Sequence, residues 1–230
     1  MFRELLSIFR PTSPLVAMSQ NFALMLNLTH EMTLSAGDIF LEGRCPPDGR
    51  KLIYERDIKV NQLQRTIRKQ IIARLSIQGS TPDIPYCLLL MSLVKDVERL
   101  GDYAKNLLKL IEFCPEKLPD DEIGEELRLI HQGITDAFTA AEEVFVSLEK
   151  DRALRLIRHG HEIAHRSDAL IERIARARYD SATTTALVLG ARYYKRIGGH
   201  LLNVISSVVM PLHKVDYFDE DEINQRVGPA

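Results

Sequence analysis

A chain of 230 residues with a net charge of −2 offers no electrostatic case for nucleic acid as its main ligand, because such a ligand calls for a basic excess. Its 45% hydrophobic content suits one large core or two small ones, and no apolar run reaches membrane-spanning length. Three widely spaced cysteines, Cys45, Cys87 and Cys114, fit neither a disulfide framework nor a zinc ribbon, so a reducing cytoplasm is the expected compartment.

Residues 1–14 form an amphipathic opening segment, with Phe2, Leu5, Leu6 and Phe9 on one side. Its acidic residue and short apolar set do not suit a signal peptide. A short helix is expected there, folded onto the body or in peripheral contact with a membrane or membrane protein. Ser13-Pro14 then caps a long helix over about 15–41, in which Met18, Phe22, Met25, Thr29, Met32 and Ala36 recur at helical spacing. The methionines read as core filler, and His30 as a hydrogen-bonded side chain. A turn from Gly43 to Gly49 contains Pro46-Pro47.

The second helix covers about 51–77, with Ile53, Val60, Leu63, Ile67, Ile71 and Leu75 inward. Its other face is basic, with Arg56, Lys59, Arg65, Arg68, Lys69 and Arg74. That stripe is either solvated surface or a means of steering an acidic partner or anionic lipid. A break at 78–83 precedes the third helix, about 85–113. The stretch from Cys114 to Pro119 is a linker near the middle of the chain. A fourth helix follows over about 122–149, capped by Asp120-Asp121. The fifth runs over about 152–179, and the sixth over about 181–210, capped by Asp180 or Ser181 and ended by Pro211. The tail, residues 216–230, is acidic.

No segment alternates with period two between turn signals, so no sheet is expected. The fold class is therefore all-α, with six long helices plus the short N-terminal one. Short turns force antiparallel neighbours, giving two tandem antiparallel three-helix bundles, 15–114 and 120–215.

The third helix carries Asp96-Val-Glu-Arg-Leu-Gly-Asp-Tyr-Ala-Lys-Asn106. Glu98 and Asp102 lie one turn apart on one face, and Asn106 extends that face. Two such carboxylates call for a compensating charge. Arg99 and Lys105 can supply it at a surface, and a hard cation can supply it in a helix groove.

The string Glu-Arg-Leu-Gly-Asp followed by Asn resembles the signature helix of the PhoU family of phosphate-signalling regulators, in which the motif occurs twice. A second copy is present at Tyr194-Lys-Arg-Ile-Gly-Gly-His-Leu-Leu-Asn203. Arg99, Gly101 and Asn106 recur there as Arg196, Gly198 and Asn203, while Lys195 stands for Glu98 and Gly199 for Asp102. Upstream, Glu55-Arg-Asp57-Ile-Lys-Val-Asn61 resembles the family's second-helix motif. In the second half Asp57 aligns with His161 and Asn61 with His165. The second half is about two helical turns shorter between these motifs.

The resemblance implies a regulatory, non-enzymatic binding protein that restrains phosphate uptake and signalling. It implies contact with a membrane phosphate transporter, a sensor kinase or both, and a homo-oligomer, in particular a dimer. Such a protein would be cytoplasmic, either free or peripheral at the inner face of the membrane. Family members bind metal clusters through the acidic motifs. Here Glu98, Asp102, Asp57 and Asn61 become candidate ligands for Mg, Mn, Ca or Fe. In the second half Lys195 repels a cation, and His161, His165 and His200 are candidates for Zn or Ni instead.

A competing reading comes from His161-Glu-Ile-Ala-His165, a literal His-Glu-x-x-His. It could place two imidazoles on one metal with Glu162 as general base of a metal-dependent hydrolase. That chemistry also needs a third ligand and an edge strand, and no strand is visible. Gly198-Gly199 inside the sixth helix costs about 1 kcal/mol per glycine relative to alanine, which close packing or room for a ligand would explain.

Overall fold

The computed structural model of the protein describes residues 14–79, 81–114, 116–147 and 149–215. The opening segment, apart from its last residue, and the acidic tail lie outside the described residues. Six long helices run in order: α1 Pro14–Glu42, α2 Gly49–Leu75, α3 Ile84–Lys109, α4 Glu122–Ser147, α5 Lys150–Arg176 and α6 Ser181–Val209. Short 3-10 turns stand before and after α3 and beyond α6, at Thr81–Asp83, Leu110–Glu112 and Leu212–Lys214. No strand occurs among the described residues, and none of their helices is long and apolar enough to cross a membrane.

Local chemistry sets the ends of these helices. Asp121 accepts hydrogen bonds from the backbone N–H of Ile123 and Gly124, each at 3.0 Å, and so caps α4. Asp180 does the same for α6 through Ala182 and Thr183, at 2.8 and 2.9 Å. Tyr179 donates to the second oxygen of Asp121 at 2.5 Å, tying the end of α5 to the start of α4. Helix α3 stops four residues earlier than the periodicity suggests, because the chain tightens into a 3-10 turn at Leu110–Glu112. The shortening of the second half falls largely in the connection between its second and third helices. Residues 76–83 with their 3-10 turn in the first half are matched by only 177–180 in the second.

Helices α1, α2 and α3 pack on one another, as do α4, α5 and α6, giving the two three-helix bundles. The bundles do not stand apart. Helix α3 packs along α6 and α1 crosses α4, so one continuous core runs through both halves. Met18, Met25 and Met32 are fully buried in it. The central linker is docked as well. Leu118 is buried and its N–H donates to the carbonyl of Leu41 at 3.3 Å. Gly43, at φ +63°, lets the chain turn beneath it; a Cβ there would lie 2.3 Å from the Glu116 carbonyl carbon. The approach of α1 to the second half also depends on a missing side chain. A Cβ on Gly37 would sit 2.3 Å from the His131 ring and 2.9 Å from the Tyr194 hydroxyl.

The α3–α6 seam carries the imprint of the repeat. At the offset that maps Arg99 onto Arg196, Asp96 maps onto Tyr193 and Tyr103 onto His200. The seam contains both members of the resulting contact pair: His200 hydrogen-bonds Asp96 at 2.8 Å, and Tyr103 meets Tyr193 with ring centroids 6.0 Å apart. Of the adjacent glycines Gly198 and Gly199 in α6, Gly198 is explained by packing, since a Cβ there would lie 3.1 Å from Ile134. Gly199 faces open space.

Candidate functional site

Asp57 projects from the buried face of α2 and Asp102 from α3, one turn beyond Glu98. Antiparallel packing brings the two aspartates together beside Gly101, where a Cβ would lie 3.7 Å from Asp57 Oδ1. Between them lies the ammonium of Lys105, 2.9 Å from Asp57 Oδ2 and 3.1 Å from Asp102 Oδ1. Asn61 donates to the same Asp57 oxygen at 3.3 Å. On the outer side Arg99 reaches Asp102 at 3.1 Å and comes within 3.8 Å of Glu98.

The electrostatics follow from this arrangement. Burial first, and the Asp102 carboxylate next, push the Glu98 carboxyl above its ordinary value, with Arg99 and Lys105 opposing. Burial also pulls on Lys105, but its hydrogen bonds to Asp57 and Asp102 and their charges outweigh it and hold the ammonium above its usual range. The compensating charge that the Glu98–Asp102 pair calls for is therefore supplied by Lys105 and Arg99. Asp57, Asn61 and Asp102 are assembled as the spacing suggests. Among the described residues, however, no three carboxylate, imidazole or thiol side chains converge in a way that could hold a metal ion. A divalent cation would fit the donor set chemically only by displacing Lys105.

The second-half candidates separate. His200 turns toward α3, where it bonds Asp96 and stacks on Tyr103 with centroids 5.7 Å apart. His161 and His165 lie on α5, and Glu162, largely exposed, pairs with His159 at 3.4 Å. Lys195, in the place of Glu98, pairs with Asp168 of α5. The hydrolase reading loses its third ligand and finds no edge strand among the described residues. The basic stripe of α2 also divides: Arg56 bonds Glu31 at 2.8 Å and Arg74 bonds Asp83 at 2.5 Å, while Arg68 turns toward the α3–α6 seam.

Two residues escaped the sequence reading. Asp96, nearly buried, accepts from both His200 and Asn203 through one oxygen, each at 2.8 Å. The signal for it was its place at the head of the signature stretch in the middle of α3, opposite the repeated Asn203. His131 on α4 is buried against Tyr194, with ring centroids 5.5 Å apart, and its Nε2 lies 3.5 Å from Asp38. Burial lowers its imidazole below the ordinary value, against the opposing pull of Asp38. Burial likewise drives the Tyr194 phenol far upward. Nothing in the periodicity of α4 distinguishes His131 from a surface histidine.

The arrangement defines a duplicated helical-bundle protein whose first half keeps an acidic signature and whose second half has exchanged it for cations and imidazoles. Residues 22–111, in the half that retains the acids, match the PhoU domain model. A curated relative, the phosphate-specific transport system accessory protein PhoU homolog 1 of Thermotoga maritima, is 25% identical over 164 residues, covering 68% of this chain and 70% of its own. The crystal structure of PhoU from Pseudomonas aeruginosa superposes with a TM-score of 0.77 at 18% identity, covering 87% of this chain and 97% of that one. The phosphate transport system regulatory protein PhoU from Streptococcus pneumoniae does so with 0.70 at 20% identity, covering 85% and 93%. These two likenesses establish the fold.

Proposed function

We propose that this protein is a PhoU-type accessory regulator of a phosphate transport system, acting through protein contacts rather than by catalysis. The observation that carries the reading is the match of residues 22–111 to the PhoU domain model, with Asp57, Asn61 and Asp102 of its two motif helices gathered in one cluster. The relative from Thermotoga maritima, a transport-system accessory protein by name, supports it. The partners are a membrane phosphate transporter, its sensor kinase or both, met at the cytoplasmic face, with the regulator a dimer. Phosphate uptake in cells lacking the protein tests the reading, with co-purification of transporter subunits from their own membranes by the untagged chain. Deregulated uptake restored by the intact gene is expected. Normal uptake together with no recovered transporter subunit overturns it.

The metal chemistry belongs to the same proposal. A hard divalent cation enters the Glu98, Asp102, Asp57 and Asn61 cluster only in competition with Lys105, so binding is weak in the native chain. When bound, the cation supplies the positive charge that Lys105 otherwise provides. Any Zn or Ni held by α5 depends on His161 and His165 without His200. It is lost on acidification, since imidazole must be neutral to ligate. Zn titration of His161→Ala/His165→Ala beside the native chain checks this; equal binding by both refutes it.

A further inference from the structure

We propose that the groove between α2, α3 and α6 is a binding site for a small molecule bearing a phosphate-class oxyanion. The groove has a volume of about 570 Å³ and is open on one side. Arg68 enters it from α2, Lys95 and Arg99 from α3, and Arg196 and His200 from α6. Asp96 is the one acid on its wall, and that carboxylate is already engaged by His200 and Asn203.

Most surface arginines and lysines near one another are simply solvated. Three observations set this group apart. First, Arg68, Lys95 and Arg196, which have no ion-pair partner among the described residues, line this one groove together, whereas Lys59, Arg65 and Lys69 of α2, equally unpaired, do not line it. Second, Arg68 Nε is shielded from solvent and has no hydrogen-bond partner in the protein. A desolvated guanidinium N–H is costly to leave unmet, and an oxyanion is the acceptor that guanidinium forks fit best. Third, Arg99 and Arg196 occupy equivalent positions of the repeat and line this one groove from opposite helices. The duplication has thus placed the same cation on both walls.

The shape selects a small ligand over a protein segment. The volume falls in the range of small-molecule sites and far exceeds what a single phosphate fills. Met91 and the half-buried ring of Tyr103 supply an apolar wall, and Ser92 a hydroxyl donor. Phosphate carried on an organic or polyphosphate body would use both the charges and that wall; free phosphate would use the charges alone. A ligand seated here would touch both bundles, because α2 and α3 belong to the first and α6 to the second. The inference stands on the groove alone and does not depend on the regulatory reading above.

Isothermal titration calorimetry of the full chain, at low ionic strength with chelator present, tests it with three probes: inorganic phosphate, pyrophosphate and ATP. Saturable one-site binding of at least one probe is expected. Affinity should fall at least tenfold in Lys95→Ser/Arg196→Ser and remain unchanged in Lys59→Ser, an exposed lysine of α2 outside the groove. Equal binding of phosphate and ATP assigns the site to free phosphate, and preference for the larger probes assigns it to a phosphorylated molecule. Lys95 and Arg196 are exposed, so their truncation leaves the core intact. If the double variant does not fold, Lys95→Ser alone is read in the same titration. Absence of saturable binding of all three probes overturns the proposal. So does a loss shared equally by Lys59→Ser, or binding of an acidic peptide but of none of the phosphate compounds.

Discussion

Replacing Lys105 with methionine tests both the electrostatics of the acidic cluster and its capacity for metal. Methionine preserves most of the aliphatic stem and removes the ammonium. Two charge-assisted contacts are lost, at 2.9 Å to Asp57 and 3.1 Å to Asp102. Such bonds contribute about 1.5–3 kcal/mol each. Lys105 and Asp102 remain 19% and 29% exposed, so water recovers part of the loss. A net cost of about 2 kcal/mol follows, or roughly 4–8 °C in Tm for a chain of this size. In the variant Asp102 and Asp57 lose their shared ammonium and, with Glu98 one turn from Asp102, become a better cation site than in the native chain. A divalent ion at about a hundredfold its Kd should then restore about 2.7 kcal/mol. Urea denaturation with and without Mn provides the assay, using an unfolding midpoint at matched slope. A loss below about 0.5 kcal/mol would show that Lys105 is not the counter-charge. A Mn-induced gain of the same size in native and variant chains would show that Lys105 does not compete with metal.

Glu98→Gln should stabilise the protein by up to about 0.5 kcal/mol at neutral pH. The folded chain holds the Glu98 proton more tightly than the unfolded one, so the native carboxylate costs stability as pH rises through that raised value. The gain should vanish when both chains are compared below the ordinary carboxylate range. For Lys105, also raised, the stabilising contribution is present below the unfolded lysine value and disappears as pH climbs through the folded one. A stability–pH curve that falls less steeply in Lys105→Met than in the native chain at alkaline pH checks it. Gly37→Ala should cost about 1–3 kcal/mol, because its Cβ meets the His131 ring at 2.3 Å and the Tyr194 hydroxyl at 2.9 Å; a thermal melt matching the native one would contradict this packing. Because the folded His131 imidazole is depressed by burial, its contribution is intact above about pH 6.5 and is lost as pH falls toward the depressed value. His131→Leu should flatten the stability–pH profile in that window, and an unchanged slope would exclude His131 as its source.

Much of the architecture was legible in the sequence because helices are written in local patterns. Met18, Phe22, Met25 and Met32 recur on one face whatever lies opposite, and Asp121 and Asp180 cap with their own backbone neighbours. The repeat was legible for the same reason, since Arg99, Gly101 and Asn106 reappear at one offset. The sequence also named Lys105 as a neighbour of Asp102, one turn away. It could not say that the same ammonium reaches Asp57 on another helix, and that contact decides how the carboxylates are neutralised. Nor could it show that the central linker is docked, or that His200 turns to Asp96 rather than toward α5. The groove is the clearest case. Arg68, Lys95 and Arg196 lie on three helices and look like ordinary surface cations along each. Only the packing of α3 against α6, with α2 alongside, decides that they share one space. The physical reason is range: periodicity, capping and duplication are set by residues within a few turns, whereas a charge acquires its partner, and a cavity its walls, from whichever helix the core brings beside it.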